Sequence, residues 1–183
     1  CPSPRGRFPS MSRRALSLRA ITLLAAWLLP CAATAATAPA IDVCVSIPPL
    51  AYVVDRIGGE QVRAHVMIPP GASPENHAPT PRQLESLERA RLFVLVGHPD
   101  FVFEQSYVRP RLADRPDALV VEMAGGPQRA GEEADGDPHI WVSPRVMQKT
   151  ARDIADALCR LDPVREADYR AGLADFLTDL AAL

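Results

Sequence analysis

"IDVCVSIPPLAYVVDRIGGEQVRAHVMIPP", residues 41–70, decides the fold class. Residues 41–47 form a short β-branched run that ends at Pro48-Pro49. Residues 50–59 carry apolar side chains at helical spacing and close on Gly58-Gly59. Residues 62–68 are strand-like again and end at Pro69-Pro70. A strand, a helix and a strand in so short a span predict two parallel strands joined by a crossover helix, since parallel neighbours cannot be connected by a tight turn.

The same alternation continues downstream. After the turn-rich loop "PPGASPENHAP", Thr80 opens a helix with Pro81 at its first position and Gln83 placed to complete a capping box. "LFVLV" (92–96) reads as a third buried strand, residues 100–112 as a helix and "ALVV" (118–121) as a fourth strand. Past a polar, glycine-rich loop, Ser143 caps a helix begun by Pro144, with Met147, Thr150, Ala151, Ile154, Leu158 and Leu161 at helical spacing. Asp162 then caps a last helix that starts at Pro163 and bears the apolar stripe Leu173, Phe176, Leu177 and Leu180. Twenty-one residues of helix reach about 31 Å. No C-cap follows, which predicts that the polypeptide normally continues. The fold class expected is α/β: a parallel-sheet lobe with helices on both faces, then one long helix.

Upstream of this pattern the chain changes character. From Met11, three arginines (Arg13, Arg14, Arg19) precede the apolar stretch 20–29 and an A-T-A at 33–35. This is the layout of a secretory signal, and its apolar part is too short for a membrane-spanning helix. Residues 1–36 are therefore set apart from the lobe at 37–161 and the long helix at 162–183. Pro30 disfavours lipid anchoring through Cys31. All 22 acidic residues but only 15 of the 20 basic ones follow residue 36, so the exported part is acidic. That balance argues against nucleic acid as a partner and suits a cationic ligand. Only Cys44 and Cys159 of the four cysteines lie beyond the signal, and the sequence leaves open whether they pair.

In an open parallel sheet, ligands bind outside the carboxyl ends of the strands. His65 falls inside a strand and reads as a packed or edge side chain. His77, His98 and His139 all fall in loops that follow strands: His77 three residues before Thr80, His98 directly after the third strand, and His139 four residues before Ser143. Neutral imidazole is the commonest protein ligand for zinc. There is no HExxH and no CxxC, so spacing alone defines no compact metal motif.

The stretches "VSIPPLAYVVDRIGGEQVRAHVMIPPGASP", "APTPRQLESLERARLFVLVG", "DPHIWVSPRVMQKTARDIADAL" and "DPVREADYRAGLADFLTDL" resemble the solute-binding proteins of zinc and manganese ABC importers, the metal-binding cluster A-I type. "DPHIW" followed by "SP" is the most specific part. The resemblance implies two α/β lobes joined by a long rigid helix, with a divalent metal held between them and an ABC permease as partner. This chain would be the amino-terminal lobe plus the connecting helix. His139 matches a family ligand, with Trp141 packed behind its loop. Asp137 would fix the turn or accept from an imidazole. The other amino-terminal ligand departs from the family pattern: in "PENHAPTP" Glu75 stands at the histidine's place and His77 two positions later, so Glu75, His77 and His98 remain alternatives. Zinc-specific relatives often carry a histidine-rich tract near the acidic loop 131–137, which has none.

The expected function is extracytoplasmic capture of zinc, or failing that manganese, in the periplasm. Its ligands must be deprotonated, so affinity falls with pH. The competing readings are a truncated, non-transporting fragment and a hydrolase in which His139 and an acid hold a catalytic zinc. A lone lobe is further expected to bind metal weakly and to self-associate through the uncovered stripe of its last helix.

Overall fold

The computed structural model describes residues 39–123, 125 and 139–182. The expected signal segment with Cys31, the acidic loop 131–137 and Asp137 lie outside the described residues. Four parallel strands form one sheet: β1 (Ile41–Val45), β2 (Val62–Val66), β3 (Leu92–Leu95) and β4 (Leu119–Glu122), in the order β2-β1-β3-β4. In register, Cys44 faces His65 on β2 and Phe93 on β3, and Val94 faces Val121 on β4. The two central strands are almost wholly inaccessible, as a strand covered on both faces must be. Arg63 and Val120, on the edge strands, reach solvent.

The crossovers explain the layers. Helix α1 (Pro48–Gly58) carries the chain from β1 outward to β2, and α2 (Pro81–Arg89) carries it back across β1 to β3. Right-handed connections in opposite directions place their helices on opposite faces. Helices α4 (Pro144–Leu161) and α5 (Glu166–Ala181) pack with α1, and Val53, Val54, Ile154 and Leu158 are fully buried there. Helices on both faces are thus observed, as the strand–helix alternation predicted.

Local chemistry sets the boundaries. Pro48 and Pro49 occupy the first turn of α1, where a missing N–H breaks no helical bond. The capping box is made: Gln83 N–H donates to Thr80 Oγ1 at 3.3 Å, and Thr80 N–H donates to Gln83 Oε1 at 2.9 Å. Gln83 also donates from Nε2 to the carbonyls of Val66 and Met67, tying the start of α2 to the end of β2. Ser143 takes the N-cap backbone position of α4, but its side chain makes no capping bond. The helix expected over 100–112 is a wide π-type turn, Glu104–Val108, followed by α3 (Arg109–Ala113). Pro110 explains the irregularity, having no N–H for the carbonyl four residues back.

The last helix differs most from expectation. Residues 163–165 form a separate 3-10 turn, and α5 spans 16 residues, about 24 Å. Its stripe is covered by its own lobe: Tyr169 and Phe176 are buried, while Leu173, Leu177 and Leu180 are half-buried against the same core. The ring of Phe176 meets Tyr52 of α1 edge-on at 6.4 Å, and Arg56 pairs with Asp179. The uncovered stripe on which self-association was expected is therefore absent. Cys44 and Cys159 are both free, buried thiols, and burial pushes the Cys44 thiol up to about 12. No helix among the described residues is long and apolar enough to cross a membrane.

Gly172 brings α5 against the backbone of α1. A Cβ there would lie 2.6 Å from the Ile57 carbonyl oxygen and 2.9 Å from that of Arg56. Backbone cannot step aside as a flexible side chain can, so overpacking, about 1–3 kcal/mol, outweighs the roughly 1 kcal/mol that alanine gains over glycine in a helix. Gly172→Ala is expected to lower the urea midpoint, a loss on the order of 1 kcal/mol; a midpoint equal to or above wild type would refute the close approach.

Candidate metal site

The strand order reverses between β1 and β3, and a crevice opens where loops leave the two strands toward opposite faces. A pocket of about 260 Å³ lies on these strand-end loops. Its wall is apolar and proline-rich, with Pro48 and Pro49 after β1, Pro69, Pro70 and Pro74 after β2, and Phe101 after β3. His139 and Trp141 complete it. A larger groove of about 560 Å³ runs along β4 and α4, but Lys149 and Asp153 there are paired at 2.5 Å and Asp156 is held by Arg170 at 2.6 Å. No histidine or cysteine lines that groove, whereas the smaller pocket holds His139, so the smaller pocket carries the chemistry of interest.

His139 is exposed and stands at the start of a 3-10 turn, Ile140–Val142. Its ring meets Trp141 edge-on at 4.9 Å, and Trp141 in turn meets the buried Phe101 at 6.2 Å. Trp141 thus stands between the imidazole and the core. His77 packs on the neighbouring Phe103: its ring is 5.7 Å from that ring, and its backbone N–H donates to the Ser73 carbonyl at 3.0 Å. His77 Nε2 is buried without a hydrogen-bond partner among the described residues. Leaving such an atom unpaired costs about 1–3 kcal/mol, a penalty a bound cation would relieve.

The two remaining alternatives are placed differently. His98 is 2% exposed, and its Nδ1 accepts from the Asp100 N–H at 3.2 Å. A neutral ring that accepts at Nδ1 carries its proton on Nε2 and offers no further lone pair. Glu75 is exposed, with its backbone N–H on Ser73 Oγ at 3.3 Å. Of the four candidates only His139 lines the pocket; Glu75, His77 and His98 do not. Among the described residues no three His, Cys, Asp or Glu side chains are gathered as a ready metal cage. The structure therefore groups His139 with Trp141 and Phe101 at the pocket and sets His77 against Phe103, two residues along the same segment.

Two constellations escaped the sequence reading. Glu104 is fully buried, and its carboxylate accepts from Ser46 Oγ at 2.5 Å, Val96 N–H at 2.8 Å and Gly97 N–H at 2.9 Å. Gly97 has φ of +75°, and a Cβ there would lie 3.0 Å from Glu122 Cβ, so this turn needs glycine. The only sequence signal for Glu104 was an acid inside the apolar run "FVFEQSYV". The second is a serine–histidine–aspartate line: His65 Nε2 lies 2.6 Å from Asp42 Oδ1, and His65 Nδ1 lies 3.5 Å from Ser86 Oγ. Ser86 is 4% exposed and donates to the Arg82 carbonyl at 3.0 Å, so its hydroxyl is not presented to a substrate.

Comparison with known proteins matches residues 43–183 to the family described as zinc-uptake complex component A, periplasmic. The high-affinity zinc uptake system protein ZnuA of Haemophilus ducreyi is 28% identical over 166 residues, covering 76% of this chain and 54% of that protein. The zinc-binding lipoprotein AdcA of Streptococcus pneumoniae is 22% identical, covering 92% of this chain and 36% of its own length. A crystal structure of ZnuA superimposes with a TM-score of 0.65 at 35% identity, covering 78% of this chain and 55% of that one. A zinc-bound deletion mutant of ZnuA gives 0.66 at 36% identity. The chain thus spans about half the length of ZnuA and about a third of AdcA.

The buried carboxylate yields a pH test. Burial pushes the Glu104 carboxyl above the usual carboxylate range, against the pull of Ser46, the Gly97 and Val96 N–H groups and the Arg109 charge. The folded protein then holds this proton more tightly than the unfolded chain does. Its contribution to stability is complete below the unfolded value, about 4.3, and is lost as pH rises from there through the raised folded value. Urea unfolding of wild type and Glu104→Gln between pH 4 and 7 should show the difference moving in the variant's favour as pH rises; a pH-independent difference would refute the raised value.

Proposed function

Because the chain belongs to the family of periplasmic zinc-uptake complex component A proteins, we propose that it is the amino-terminal, metal-capturing lobe of an exported solute-binding protein that delivers zinc to an ABC permease. One observation carries this reading: His139 stands exposed on a Trp141-backed turn, beside an apolar pocket at the point where the strand order reverses. Zinc is the cargo, and a neutral imidazole is its usual nitrogen donor. His139 supplies one donor from this lobe. His77 supplies the second through its unpartnered Nε2, which ranks it above His98, whose Nδ1 is engaged, and above Glu75, which is exposed. Asp137, two residues before His139, orients that imidazole as an acceptor. Helix α5 leads toward the second half of the site, as the connecting helix.

The apolar wall has a role in such a site. Low surrounding polarity strengthens the attraction between a divalent cation and its donors and leaves little water to compete. The arginine-led apolar segment before residue 36 supports export, with capture in the periplasm. No nucleophile or general base is assigned, since the proposed activity is binding and release. Zinc is favoured by the imidazole donors and by the zinc proteins among the relatives; manganese is the second cargo to try.

The test is calorimetric titration of the natural full-length, processed polypeptide with zinc and with manganese, beside His139→Ala and His77→Ala. Tight one-to-one zinc binding is expected. Each variant should weaken it by at least tenfold, about 1.4 kcal/mol. Removal of bound zinc by a chelator should lower the melting temperature of wild type by more than that of His139→Ala. Absence of zinc and manganese binding by the wild-type protein would overturn the proposal.

A further inference from the structure

The segment from Val96 to Glu104 touches every loop that forms the pocket. Its first end leaves β3, and Glu104 folds back to accept the N–H groups of Val96 and Gly97, closing the segment on itself. The same carboxylate takes the hydroxyl of Ser46, the residue after β1, so one side chain binds the ends of both central strands. Between these anchors, Phe103 N–H donates to the Pro74 carbonyl at 3.2 Å, and the Phe103 ring faces His77. Phe101 meets Trp141, the side chain that backs His139. Phe101 N–H donates to the His98 carbonyl at 3.0 Å and Glu104 N–H to the Phe101 carbonyl at 2.9 Å, so the path between the anchors is itself fixed.

We infer that Glu104 is a positioning residue for metal capture: its carboxylate locks the 96–104 segment so that Phe101 and Phe103 hold the His139 and His77 loops at the spacing a shared cation requires. This rests on the proposed function and adds to it a residue that touches no metal. The argument is geometric. A buried carboxylate with three donors has one low-energy placement, and every contact from the segment to the two histidine loops lies within three residues of it. Glutamine is a poor substitute, because an amide offers one acceptor oxygen and a donor nitrogen where the carboxylate offers two acceptor oxygens. At least one of the Ser46, Val96 and Gly97 donors would then face an N–H group.

The experiment uses the full-length processed protein, its Glu104→Gln and Ser46→Ala variants, and Gly172→Ala as a destabilised control remote from the pocket. Zinc affinity by calorimetry and the d–d absorption of bound cobalt(II) are read at a temperature where circular dichroism reports each protein folded. Expected are at least tenfold weaker zinc binding and an altered cobalt band for Glu104→Gln, a smaller change of the same kind for Ser46→Ala, and wild-type values for Gly172→Ala. Wild-type zinc affinity and cobalt band in folded Glu104→Gln and Ser46→Ala overturn the inference, as does equal weakening in Gly172→Ala. If Glu104→Gln does not fold, Ser46→Ala decides by the same criteria. A wild-type protein that binds no zinc removes the proposed function and this inference together, whereas tight wild-type binding with unaffected variants removes this inference alone.

Discussion

A parallel sheet obliges every strand to be re-entered from the same end, and each re-entry needs a crossover whose hand is fixed. In this chain that constraint acts through the strand order β2-β1-β3-β4. The first crossover moves outward from β1 and the second must return past it, so the covering helices divide between the two faces. The loops from β1 and β3 then diverge, and nothing in the sheet itself fills the space between them. All the chemistry described above is consequent on that divergence: the proline-lined pocket, the Trp141-backed imidazole and the buried carboxylate that ties the two strand ends together.

Much of this architecture was legible because it is local. A capping box declares itself over four residues, and the Thr80–Gln83 pair formed as its spacing required. Short β-branched runs punctuated by proline and glycine gave the strands to within two residues. What could not be read depends on partners distant in sequence. Leu173, Leu177 and Leu180 form an apolar stripe whatever covers them, and nothing in the stripe states that α1 and α4 do so. Ser143 has the right side chain in the right place for a cap, yet its hydroxyl makes no such bond. Glu104 lies 58 residues from Ser46, and no local pattern announces that pairing.

The histidines illustrate the same division. Their positions follow from the order of elements, and all three fall in loops that come after strands. Their chemical states do not follow from order. His98 and His77 are loop imidazoles of equal standing in the sequence, but one has its Nδ1 committed to the Asp100 N–H while the other keeps a buried nitrogen without a partner among the described residues. The difference is a matter of tautomer and burial, settled by backbone geometry two residues away in one case and by the Phe103 ring in the other. His65, Asp42 and Ser86 add a caution, since a triad of suitable residue types assembled at the sheet is engaged internally with the serine hydroxyl closed off.

Five prolines in the pocket wall carry a thermodynamic meaning separate from their shape. Each has its φ angle fixed by its own ring, so these segments have few conformations to lose when the chain folds. Loops elsewhere surrender about 1–2 kcal/mol of conformational entropy per residue when they become ordered, and a binding loop that orders on its ligand takes that loss out of affinity. Here the loss is small and falls at folding. Under the proposed function, an arriving ion would meet a standing surface on this side of the site.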